Sequence, residues 1–127
     1  NTWAAMMLAG KNKLNNLIVI VDRNNIQIDG FTEDIMPLEP LKQKWEAFNF
    51  NVIEIDGHNF EQIIAGVESA KIILDKPTVI LAHTIPSKGI PEFEGKYEWH
   101  GKPPTTPEEI AIARNALNEI EKQLKSL

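Results

Sequence analysis

Three short apolar runs constrain this fold more than any other feature. Leu17–Val21, Asn51–Ile55 and Thr78–Ala82 are rich in Ile and Val and mostly uninterrupted by charge, as expected of strands buried on both faces. Helical patterns separate them. Leu38, Leu41, Trp45 and Phe48 recur at three- and four-residue spacing, and so do Phe60, Ile63, Ile64, Val67 and Ala70. Strands alternating with helices imply βαβ units, hence an α/β fold with a parallel sheet flanked by helices. A length of 127 residues suits one domain with a real core. The chain opens at Asn1 without Met and enters helix-like sequence at once (Trp3, Met6, Met7, Leu8). Residues 1–127 are therefore expected to form a single, partial domain. No internal repeat or low-complexity tract interrupts it.

The punctuation agrees with this alternation. Asp56-Gly57-His58-Asn59 follows the second run, and Asn59 with Gln62 predicts a capping box for the next helix. Lys76-Pro77 ends that helix. From Pro86 to Pro107 the sequence is rich in Pro and Gly and has no period, and a loop of that length is functional or disordered. Its Phe93, Tyr97, Trp99 and His100 favour function. Beyond it, Thr106, Pro107 and Glu109 predict a capped final helix. Ile110, Ala113, Leu117, Ile120, Leu124 and Leu127 form its apolar stripe. That stripe suits a coiled coil or, the simpler expectation, docking on the sheet or a partner.

Charge and composition exclude several roles. Thirteen basic against 18 acidic residues give a net charge of −5, which argues against nucleic acid as the main partner. Without cysteine there is neither a disulfide framework nor a thiolate metal site. No run approaches the ~18 apolar residues of a membrane span, and no signal peptide is visible. A cytoplasmic enzyme is the expectation.

The stretch VDRNNIQIDG, Val21 to Gly30, carries the chemistry. In open α/β sheets ligands bind beyond the carboxyl ends of strands, where Asp22 to Asn25 fall. Asp and Asn oxygens are hard donors that suit Mg²⁺ or Ca²⁺. Asn adds an oxygen without adding charge, which helps where a diphosphate is already anionic. The other reading is an ordinary turn, since Asn and Asp tolerate left-handed backbone and cap helices.

The wider sequence bears on that choice. WAAMMLAGKNKLNNLIVIVDRNNIQIDG resembles the second half of the thiamine diphosphate motif of transketolases. The likeness continues through TEDIMPLEPLKQKWEAFNFNVIEIDGHN and KPTVILAHTIPSKGI to YEWHGKPP. It implies the later part of a thiamine diphosphate-binding (diphosphate-binding) domain, with Mg²⁺ as the metal and Ca²⁺ as a possible substitute. By this resemblance Asn24 binds the metal through its side-chain oxygen and Ile26 through its backbone carbonyl. Ile28 packs near the cofactor. His100 lies by the diphosphate and the sugar substrate, as the catalytic contact. Lys102 either offers phosphate a cation or is a solvated side chain. His58 reads as a turn residue, His83 as a strand-end residue that can line the site, and Trp45 and Trp99 as packing residues.

The resemblance also implies an activity, transfer of a two-carbon ketol unit between sugar phosphates in the pentose phosphate pathway. It further implies a partner, either a pyrimidine-binding domain or a C-terminal transketolase subunit, in a homodimer or heterotetramer. The motif's opening Gly-Asp-Gly, whose Asp is a metal ligand, does not occur here, so the piece alone is expected to be inactive. Ala4 stands where the family usually has a Glu of an acidic dimer-interface network. Pro86-Ser87-Lys88-Gly89 departs from a common Lys-Gly-Lys-Gly loop, although Lys88 survives. Two other readings stay open. One is another thiamine enzyme such as a deoxyxylulose phosphate synthase, against which WHGK and DGHN speak. The other is a non-catalytic assembly module, of which Ala4 would be the symptom.

Overall fold

A computed structural model describes residues 1–126. The chain divides into two compact units, Asn1–Asn24 with Leu38–Thr84, and Asn25–Pro37 with Ile85–Leu127. The first holds helices α1 (Thr2–Lys11), α3 (Leu41–Ala47) and α4 (Phe60–Lys71) and strands β1 (Ile18–Arg23), β4 (Asn51–Asp56) and β5 (Thr78–His83). The second holds β2 (Ile26–Gln27), β3 (Gly30–Phe31), α2 (Thr32–Ile35), a 3₁₀ turn at Tyr97–Trp99 and α5 (Pro107–Leu124). Among the described residues no helix is long and apolar enough to cross a membrane.

The first unit is a parallel sheet in the order β1-β5-β4. Side chains alternate along a strand, so β5 serves two cores. Val79 and Leu81 pack with Met6 and Ala9 of α1 and with Leu41 and Trp45 of α3. Ile80 and Ala82 pack with Ile55 and with Ala70 of α4, backed by Ile63 and Val67. Val79 and Ile80 are essentially inaccessible to solvent, worth about 1.5–3 kcal/mol each by apolar burial. The sheet is thus flanked by helices on both faces, as its sequence pattern implies. Trp45 is a packing residue, edge-to-face with Phe50 at 4.9 Å.

Two expectations need correction here. Burial on both faces holds for β5 but not for β1, whose Ile20 is 61% exposed. The reason is coverage, since α4 packs over β4 and β5 and leaves the outer strand open. The capping box of α4 is only half formed. Asn59 accepts the Gln62 N–H at 3.0 Å, but the Gln62 side chain accepts the Asp56 N–H at 2.8 Å instead of returning to Asn59.

In the second unit, the cap predicted for α5 is complete. Thr106 Oγ1 accepts the Glu109 N–H at 3.2 Å, and Glu109 Oε2 accepts the Thr106 N–H at 3.0 Å, with Pro107 in the first turn. The apolar stripe stays open, with Leu117 and Leu124 more than half exposed. Leu127, its last member, lies outside the described residues. Phe93 is buried and anchors the long loop.

Candidate functional site

The carboxyl edge of the sheet is tightly built. The Gly57 N–H donates to the His83 carbonyl at 2.8 Å. A Cβ on Gly57 would lie 2.4 Å from Thr84 Cγ2, so glycine is required by close approach. Thr84 Oγ1 donates to the Asp22 carboxylate. Arg23, the last residue of β1, is buried and directs Nε and Nη2 to Glu39 Oε1 at 3.2 and 3.0 Å. His83 Nε2 lies 3.4 Å from Glu54 Oε2, and Lys42 Nζ lies 3.2 Å from Glu54 Oε1. Arg23, Glu39, Lys42, Glu54 and His83 line a cavity of about 180 Å³. Asn24, half-buried, is the next residue after Arg23. His58 is a turn residue, its N–H held by Asp56 Oδ1 at 2.9 Å.

The second unit starts at Asn25, which takes the left-handed conformation at φ 65°, one that Asn tolerates better than most residues. Its carbonyl accepts the Thr32 N–H at 2.9 Å. Ile26, buried, pairs antiparallel with Phe31, and Gln27 pairs with Gly30. Ile28 sits in the turn between them, 75% exposed. The Phe31 ring meets Tyr97 edge-on at 5.8 Å, and the Tyr97 carbonyl accepts the His100 N–H at 2.9 Å. Ile26 and His100 therefore belong to one connected set, with Ile28 at its open end.

Around His100 the side chains interlock. Phe93 stacks on Trp99 at 3.7 Å, and Lys102 Nζ lies 4.5 Å from the Trp99 centroid. Lys102 also pairs with Glu109 Oε1 at 2.9 Å. Lys102 is thus engaged by protein groups, and Trp99 packs as its sequence context implies. The Glu109 carboxyl is held down at about 2, chiefly by the N–H groups of Thr106 and Thr105 and then by Lys102.

Of the four expected site residues, Asn24 closes the first unit and Ile26, Ile28 and His100 fall in the second. No group of three or more His, Cys, Asp or Glu that could hold a metal occurs among the described residues. By residue type, Asn24 carries a neutral amide oxygen and Ile26 a backbone carbonyl. Such donors fit a hard cation that keeps waters and takes its anionic partners from a ligand phosphate or another carboxylate. Sequence reasoning missed the Arg23–Glu39 pair. The available signal was a charge at the end of an apolar strand, which needs a partner if it is buried.

The family model described as transketolase, thiamine diphosphate binding domain, matches residues 2–123. The chain belongs to the transketolase family. Within that family it is 46% identical over 121 residues to a 6-deoxy-6-sulfo-D-fructose transketolase subunit of a Clostridium species, covering 95% of this chain and 42% of the relative. It is 37% identical over 120 residues to an apulose-4-phosphate transketolase subunit of Phocaeicola vulgatus, covering 94% and 43%. The crystal structure of Campylobacter jejuni transketolase superposes with a TM-score of 0.72 at 40% identity, over 76% of this chain and 15% of that one. This transketolase-family chain spans less than half the length of the two curated subunits it matches. Its matched region is the thiamine diphosphate-binding domain of the family.

Proposed function

We propose that this chain supplies the diphosphate- and metal-binding part of a transketolase that moves a two-carbon ketol unit between sugar phosphates. The observation that carries this is the family match running through the Asn24-Asn25-Ile26 turn, where a half-buried amide follows a parallel strand. In this reading the Asn24 side-chain oxygen and the Ile26 carbonyl would hold Mg²⁺, and Ile28 would pack beside the cofactor. His100 would touch the diphosphate and the sugar, donating a ring N–H to oxygen and holding a proton as charge moves. Thiamine diphosphate, when bound, supplies the nucleophilic carbon and the electron sink that cleaving a ketose carbon–carbon bond demands.

The rest of the machinery would come from elsewhere. A pyrimidine-binding domain or C-terminal transketolase subunit completes the cofactor site, in a homodimer or heterotetramer, and residues 1–127 are one partial domain of the whole. The curated relatives are named as subunits, which supports a separate partner chain. The ketoses in those names, one a phosphate and one a sulfonate, support an anionic sugar as substrate. The cytoplasm and the pentose phosphate pathway are the corresponding setting.

Calorimetry on the full-length protein with its partner subunit tests the assignment, using Mg²⁺ and thiamine diphosphate. Asn24→Ala is expected to weaken binding by about 10- to 100-fold, the range typical of disturbed metal sites. Equal affinity in the variant would remove Asn24 from the metal shell.

A further inference from the structure

His100 occupies the apex of a very short loop. The 3₁₀ turn Tyr97–Trp99 ends at it. Gly101 follows at φ +84° and turns the chain back, with nothing within 4 Å of the place a Cβ would take. The residues on either side then meet, because Lys102 Nζ lies 4.5 Å from the Trp99 ring centroid. A cation over an indole face is the strongest pairing of its type. The loop Trp99-His100-Gly101-Lys102 is therefore closed by its own flanking side chains.

Both ends of this closure are anchored. Trp99 stacks at 3.7 Å on Phe93, which is buried. Lys102 donates to Glu109 Oε1 at 2.9 Å, while Oε2 of the same carboxylate accepts the Thr105 and Thr106 N–H groups at 2.8 and 3.0 Å. Glu109 lies in the first turn of α5. One carboxylate thus ties the loop to the helix cap.

We propose that Lys102 and Glu109 are positioning residues, and that the Phe93–Trp99–Lys102–Glu109 stack fixes the orientation of His100. This rests on the reading of His100 as the group that meets diphosphate and sugar. It assigns Lys102 to holding the loop rather than to binding phosphate. A small misplacement of a positioned group costs a large factor in rate, so the closure acts on turnover more than on substrate affinity.

The test uses the full-length protein assembled with its partner subunit, loaded with Mg²⁺ and thiamine diphosphate, with fructose 6-phosphate as donor. Lys102→Met keeps the stem of the side chain and removes the cation. Glu109→Gln keeps an oxygen for the helix cap and removes the charge. Lys102→Arg keeps both charge and stacking. Both disrupting variants are expected to lower kcat about 10-fold with little change in KM. Both should also speed amide hydrogen exchange in the segment His100–Lys102, and Lys102→Arg should restore both readouts. Wild-type exchange in Lys102→Met and Glu109→Gln overturns the proposal, as does faster exchange with unchanged kcat. A loss of kcat without faster exchange also overturns it, since Lys102 would then act on phosphate directly. His100→Ala separates the layers. Wild-type turnover there sinks the reading of His100, whatever the exchange of the loop shows.

Discussion

Arg23 lies 96% removed from solvent with its Nη2 3.0 Å from Glu39 Oε1, while Glu39 Oε2 accepts the Leu41 N–H at 2.8 Å. One carboxylate thus serves a buried guanidinium at the end of β1 and the first residue of α3. Glu39→Ala removes a charged partner from a buried donor, which typically costs about 1–3 kcal/mol. Chemical denaturation should show that loss, and Glu39→Gln should recover part of it through the neutral hydrogen bonds.

The same carboxyl predicts an acid-sensitive contribution. The Leu41 N–H, followed by Arg23, holds Glu39 below its ordinary 4.5. The unfolded chain therefore takes up this proton before the folded one does. The contribution is complete above about pH 4.5 and is lost as pH falls through the lowered folded value. Stability measured from pH 6 downward should fall less steeply in Glu39→Gln than in the natural chain.

Gly10 gives a sign that helix propensity alone would get wrong. Gly to Ala inside a helix ordinarily gains roughly 0.5–1 kcal/mol. Here a Cβ would stand 1.8 Å from the Phe48 carbonyl oxygen, a backbone atom that cannot swing aside. Gly10→Ala should lower stability by about 1–3 kcal/mol through overpacking. A rise in thermal midpoint would refute this close approach of α1 to the end of α3.

Gly101 tests conformation rather than space. Its φ of +84° disfavours a side chain although nothing lies near. Gly101→Ala should therefore cost about 1–2 kcal/mol of local backbone strain. Gly101→Asn should cost less, because Asn enters this region more readily. Hydrogen exchange of the Trp99–Lys102 segment reads the order of the two variants.

The cap of α5 should respond to acid. Glu109 is held at about 2 against an ordinary 4.5, so its contribution is full above about pH 4.5 and is lost as pH falls towards 2. Circular dichroism of the natural chain and of Glu109→Gln should diverge above that window and converge below it.

Much of the fold was legible because burial leaves a plain pattern. Val79, Ile80 and Leu81 form an uninterrupted apolar triplet, and β5 is indeed covered on both faces. The three runs located the strands to within one or two residues. Their spatial order was not legible, since β1 and β4 pair equally well with β5 on sequence grounds. Gln62 was misassigned to a capping box because the exposed Asp56 N–H, invisible in a one-dimensional pattern, competes for its oxygen. The loop from Pro86 to Pro107 showed no period because it is held by contacts such as Phe93 on Trp99 rather than by a repeating ladder. As for the site, a strand-end position made Asn24 a candidate on physical grounds. Ile26, Ile28 and His100 were reached only through the resemblance, since a backbone carbonyl, a turn residue and a lone loop histidine leave no distinctive residue pattern.

The middle strand of the sheet is the last of the three to be synthesised. β1 ends at Arg23 and β4 at Asp56, yet β5 lies between them, and both pair in register with Thr78–His83. A ribosome therefore releases β1 and β4 before the strand that joins them. The edges of β1 and β4 that pair with β5 wait for that whole interval, and parallel pairing across such separations forms slowly. Between the emergence of Arg23 and that of His83 these are the edges open to wrong pairing.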